Sequence, residues 1–161
     1  MLLRIKLFFL FVPLALLACG RLDISSSRYE SYAAALDAGA IGQGRWLPSQ
    51  LPASAVGIRE THDIDTNEVW FSYASASNRP PEECSELLAD QLRLPRSRWV
   101  YEIEEFFRGL KDVQASGRAS FHSCHDAGYD YYLVIDPERN LAYGWSLGGY
   151  GEGFGRPGAA R

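Results

Sequence analysis

Apolar residues at Tyr29, Tyr32, Ala33 and Leu36 recur every three or four positions, behind the serines that end at Ser27 and ahead of Gly39. That spacing predicts a first helix with a serine cap and a glycine at its C-terminal end. Gly42-Gln43-Gly44 then breaks the chain, and Trp46-Leu47-Pro48 with Leu51-Pro52 gives a proline-punctuated segment holding at most one helical turn through Val56. From Ile58 the period drops to two. Ile58, Glu60, His62 and Ile64 lead into a polar turn at Asp65-Thr66-Asn67, and Val69 to Tyr73 leads out, which predicts a β-hairpin. Pro80-Pro81-Glu82-Glu83 reads as a helix start, with Cys84, Leu87, Leu88 and Leu92 as its apolar stripe and Pro95 as its stop. Trp99, Ile103, Phe106, Phe107 and Leu110 again lie at helical spacing, although Val100 to Ile103 suits a strand equally. Strands are expected over 119–124, 129–135 and 141–147, the last two joined by a turn at Asp136-Pro137-Glu138-Arg139-Asn140. No internal repeat is visible.

The expected architecture is α+β: a small antiparallel sheet of about five strands, with two or three helices packed on one face. The domain runs over 28–147. Residues 148–161 carry six glycines and read as a disordered tail, since ordering that many glycines costs much entropy.

The N-terminus changes the picture. Arg4 and Lys6 precede an almost unbroken apolar run from Leu7 to Leu17, and Leu16-Leu17-Ala18-Cys19 follows. A membrane-spanning helix needs about 20 apolar residues, and this run is shorter and contains Pro13. Its order resembles the bacterial lipobox at the end of an export signal. The resemblance implies that residues 1–18 are a signal peptide, that Cys19 is diacylated (palmitate or a similar chain) and becomes the first residue, and that 19–27 form a tether. Gly20 after the cysteine implies forwarding to the outer membrane, facing the periplasm.

Charge and cysteines fit that location. Arg4 and Lys6 leave with the signal, so the mature chain has 14 basic and 20 acidic residues, a formal charge of −6. A nucleic-acid partner would demand a cationic face, so none is expected. Removing the lipidated cysteine leaves Cys84 and Cys124, expected to form a disulfide in an oxidising compartment, with two buried thiols as the alternative.

Candidate chemistry is sparse. Asp63-Ile64-Asp65-Thr66-Asn67 begins like a calcium loop, but Glu68 replaces the turn glycine and Ala74 the final glutamate, so the plainer reading is a hairpin turn. His122-Ser123-Cys124-His125-Asp126 gathers metal-capable residues, with His62 as a remote fourth. A strand would split them between two faces, and Phe121 stands where a haem-attachment cysteine is required, so no metal or cofactor is expected. The best catalytic assembly would take His62 or His122 as general base, Asp63 or Asp126 as its orienting partner, and Ser54, Ser120 or Ser123 as nucleophile. None of these serines lies in a Gly-x-Ser-x-Gly elbow. Glu82-Glu83 and Glu104-Glu105 serve as dipole partners and solvated helix faces.

The stretch from Trp46-Leu47-Pro48 through Leu51-Pro52-Ala53-Ser54-Ala55, Ile58, Glu60 and His62 to Asn67 resembles small uncharacterised bacterial lipoproteins. That resemblance carries over no catalytic residue. The expectation is a lipid-anchored envelope protein that binds a protein or cell-wall partner without turnover; the alternative is a periplasmic hydrolase with a site around His62 and His122.

Overall fold

The computed structural model describes residues 24–42, 44–64, 66–77, 79–93, 101–126 and 129–147. Cys19, Asp65, Trp99 and the glycine-rich tail lie outside them.

In chain order the elements are β1 (Ile24–Ser31), α1 (Tyr32–Asp37), β2 (Val56–Asp63), β3 (Glu68–Ala74), β4 (Ser85–Leu87), a 3₁₀ turn (Ala89–Gln91), α2 (Tyr101–Ala115), β5 (Ser120–Asp126), β6 (Tyr129–Asp136) and β7 (Leu141–Leu147). All seven strands form one antiparallel sheet in the order β1-β2-β3-β7-β6-β5-β4.

This overturns the expected α+β architecture of about five strands under two or three helices. Among the described residues the fold is dominated by the sheet, with α2 its one long helix. Two readings fail for identifiable reasons. The helical spacing at Tyr29 is overridden because Ile24 to Ser31 pair with β2, so the segment read partly as a tether is an edge strand. There Ser26 and Thr61 hydroxyls meet at 2.8 Å and Tyr29 sits opposite Ile58. Only Tyr32 to Asp37 remain helical. Ser31 Oγ accepts from Ala34 N at 3.2 Å, and Gly39 at φ 67° closes the C-terminal end. The stripe Cys84–Leu92 likewise becomes β4 plus a 3₁₀ turn, because Cys84 is bonded to Cys124 and the next three residues pair with β5.

Each sheet face carries a packed layer, which on the helix side spans only part of the sheet. Even-numbered β2 residues and odd-numbered β3 residues face a loop layer: Ile58, Phe71, Tyr73, Tyr131, Leu133 and Ile135 pack with Ala35, Leu47 and Leu51 from α1 and the segment after it. On the opposite face Trp70, Tyr132, Val134 and Trp145 meet Phe106, Leu110 and Val113, the apolar stripe of α2. The loop layer is latched by polar contacts: Ser49 Oγ donates to Asp126 Oδ1 at 2.7 Å, and Gln50 Nε2 donates to the His125 carbonyl at 3.0 Å.

A repeat appears that the amino-acid order concealed. In the β2–β3 turn Asp63 Oδ1 accepts from Thr66 N (3.3 Å), and in the β6–β7 turn Asp136 Oδ1 accepts from Glu138 N (3.0 Å) and Arg139 N (3.1 Å). Each turn ends on an asparagine in left-handed backbone, Asn67 at φ 54° and Asn140 at φ 55°. Asparagine tolerates that conformation better than most side chains. The shift that carries Asp63 onto Asp136 and Asn67 onto Asn140 also carries Phe71 onto Gly144, the residue it faces across the β3–β7 junction. The two hairpins are therefore related by a local twofold axis at that pair.

Candidate functional site

Helix α2 packs against β3 and β6 and leaves the same face of β1 and β2 uncovered. Beside it lies a groove of about 540 Å³, within the usual range for small-ligand sites. Its floor is built in two cross-strand rows fixed by register. One row runs Arg28, Arg59, Ser72, Tyr143; the next runs Ser26, Thr61, Trp70. The wall is the side of α2 carrying Glu105, Arg108, Gly109 and Asp112, residues spaced to share one helix face.

Arg59 Nη1 donates to Glu105 Oε1 at 2.5 Å. Glu105 is half exposed, and its carboxyl is held below the usual range chiefly by that hydrogen bond and the Arg59 charge, with Arg28 and Arg108 adding to it. Three guanidinium groups thus converge on one carboxylate. From residue 19 onward every Lys or Arg is arginine except Lys111, and the planar guanidinium fork suits carboxylate oxygens better than an ammonium does. At the floor the Trp70 indole N–H is buried without a partner among the described residues, whereas Trp145 Nε1 donates to the Arg93 carbonyl at 2.7 Å. The Tyr143 hydroxyl approaches α2 where Gly109 has no side chain; a Cβ there would come within 2.4 Å of it.

A second cluster lies on the loop side of the sheet. Glu60 is 3 % exposed and pairs through Oε1 with His62 Nδ1, two residues along the same strand. The His62 ring stacks on Trp46 with centroids 3.9 Å apart and planes 6° apart. Burial pushes the Glu60 carboxyl above the ordinary carboxylate range, and the His62 and Ser27 hydrogen bonds only partly counter it. The folded state then holds the Glu60 proton more tightly than the unfolded chain does. Between the two titration points the folded state binds more protons, so this group's contribution falls as pH rises. Glu60→Gln is expected to remove that fall. Melting temperatures measured from about pH 4 to 7 should decline less in the variant, and an unchanged profile would refute the assignment.

The residues nominated from sequence are scattered. His62 is on β2 and His122 on β5, with β3, β7 and β6 between them, so the two histidines do not converge. Asp63 caps its own turn. Asp126 anchors Ser49, and Ser54 Oγ meets Ser75 Oγ at 2.7 Å. Ser123 lies on the face opposite His122. His125 pairs with Asp130 at 2.5 Å on the surface. One nominated pair does meet: His122 Nε2 stands 2.9 Å from Ser120 Oγ, and burial lowers the His122 pKa against the opposing charge of Glu86. Cys84 and Cys124 are joined in a disulfide. Among the described residues no three His, Cys, Asp or Glu side chains are grouped to hold a metal ion.

Sequence reasoning missed the groove. Arg28, Arg59 and Arg108 are widely separated along the chain, and only strand pairing and helix placement bring them together. The signal that was available was the choice of arginine over lysine from residue 19 onward.

No curated protein and no solved structure matches the chain. A family model described as the YbbD head domain matches residues 23–74, the stretch that forms β1, α1, β2 and β3 and supplies the two-row floor of the groove up to Tyr143. About a third of the chain is therefore similar to a YbbD head domain, and that third is the first of the two hairpin units with its flanking strand.

Proposed function

We propose that this chain is a lipid-anchored protein of the bacterial cell envelope, held through acyl groups on Cys19 at the outer membrane facing the periplasm, and that it acts by binding a protein or cell-wall partner rather than by turnover. The anchor rests on Leu16-Leu17-Ala18-Cys19 behind the apolar run. The binding role rests on one observation: the groove beside α2 is lined by Arg28, Arg59 and Arg108, a recognition surface for an anionic group. In cells fed a clickable palmitate, the wild-type chain is expected to take up the label and Cys19→Ser to lose it. A photoreactive residue at Ser72, within the groove, should crosslink one envelope component. An unlabelled wild-type chain, or a Ser72 crosslink pattern no different from one placed at exposed Leu88, would overturn the reading.

A hydrolase is favoured only by the Ser120–His122 contact. Ser120 opens β5, and the residues that follow it pair with β6, so their amides are committed to the sheet rather than to an oxyanion. Covalent labelling of Ser120 by a fluorophosphonate would favour this second reading; absence of labelling would remove it.

A further inference from the structure

Arg28 and Arg59 stand directly opposite each other on neighbouring strands. Like charges in that position destabilise an antiparallel pair, and nothing in the packing of β1 on β2 requires them. Ser26 and Thr61 in the next row, and Ser72 in the arginine row itself, show that small polar side chains fit this face without repulsion. Arg108 from α2 adds a third cation, and only Arg59 of the three forms an ion pair among the described residues. Counter-charge comes from Glu105 and Asp112 on the helix wall; Glu60 borders the groove by its backbone position, its side chain being paired with His62 on the other face. Three guanidinium groups against two carboxylates leave one positive charge in surplus, in a chain that is net negative.

That balance selects the ligand. A single surplus charge matches one carboxylate, whereas a phosphate dianion would face repulsion from Glu105 and Asp112. The Arg59–Glu105 contact already demonstrates that the cluster accepts carboxylate oxygens. The neighbouring row of hydroxyls suits amide groups, and the aromatic floor of Trp70 and Tyr143 suits aliphatic side chains. Resting on the binding role proposed above, we propose that the groove between α2 and the β1–β2 face binds a short peptide through its carboxylate, gripped by Arg28, Arg59 and Arg108.

The test uses the full mature chain in detergent micelles, titrated calorimetrically with acetyl-Ala-Ala-Ala bearing a free C-terminal carboxylate, with the same peptide as its C-terminal amide, and with inorganic phosphate. The carboxylate peptide is expected to bind at least about tenfold more tightly than the amide or phosphate, the loss expected for one charge-assisted contact. Arg28→Gln should weaken it by about tenfold while leaving the melting temperature unchanged or raised, because a like-charge pair is relieved. A merely structural arginine would lower the melting temperature instead. The Trp70 indole proton, identified by its loss in Trp70→Phe, should shift on adding the carboxylate peptide. Equal binding of the amide, tighter binding of phosphate, or Arg28→Gln binding like wild type would each overturn the proposal. If the peptide fails while Ser72 still crosslinks a single envelope component, the ligand class falls and the binding role stands; if both fail, both fall.

Discussion

Alanine in place of Gly144 is expected to cost about 2 kcal/mol of stability, although glycine inside a strand is usually the poorer residue. Two effects oppose each other. Removing a glycine from a strand interior favours the folded state by about 0.5–1 kcal/mol. Against this, a Cβ at Gly144 would lie 2.1 Å from Phe71 Cζ and 2.4 Å from Cε2, and overpacking a filled core costs about 1–3 kcal/mol, occasionally more. Relief by movement is blocked on both sides. β7 is hydrogen-bonded between β3 and β6, so its backbone cannot retreat. Phe71 is 1 % exposed and lies between Tyr73 and Tyr131, with ring centroids 6.5 and 5.9 Å away. The clash therefore wins. Phe71→Leu should itself be destabilising, yet in the Gly144→Ala background it should recover part of the loss, because the two changes share one space. Denaturant midpoints for the four members of the cycle check this; strictly additive losses would mean that the ring and the glycine do not compensate one another.

Removing the disulfide should cost more, about 4 kcal/mol in the chain-entropy description of a loop of this length. Cys84 and Cys124 are 40 residues apart, and the bond holds the shortest strand of the sheet. β4 contributes three residues, all pairing with β5 alone, and its side chains are exposed or half-buried. Little else fixes it. Cys124 is 2 % exposed within the loop-side core, so the double variant Cys84→Ala/Cys124→Ala is the appropriate comparison; a serine at Cys124 would add the cost of a buried hydroxyl. Hydrogen exchange should show β4 amides losing protection before those of β3 and β7. A double variant within about 1 kcal/mol of wild type would show that the bond constrains a chain already ordered by its core.

What could be read from the residues, and what could not, divides along the range of the interactions involved. Hairpin β2–β3 was legible because alternation at Ile58, Glu60 and His62 and the turn residues Asp63 to Asn67 act locally. The same holds for β5, β6 and β7. The apolar stripe Phe106, Leu110 and Val113 sufficed for α2, even though Val100 to Ile103 suited a strand. β1 was not legible, because Ile24 to Ser31 carry four serines whose strand geometry depends on β2, 24 intervening residues further along the chain. The misread helix at Pro80 shows the converse: its local helix signals were overruled by a covalent bond and pairing to β5. The repeat stayed hidden because its two copies share little beyond an aspartate and an asparagine at the turn. Of the candidate site, the i, i+2 spacing of Glu60 and His62 placed them on one strand face, but their stacking partner Trp46 comes from the loop layer.

The local twofold arrangement has a kinetic corollary. Its axis passes through the Phe71–Gly144 pair, on the junction between β3 and β7, so the seam at the middle of the sheet closes only when the last strand arrives, long after the first three have emerged. Until then β3 presents a bare, strongly apolar border, the kind of surface on which nascent chains go astray. Pairings this distant in sequence slow the acquisition of the native form.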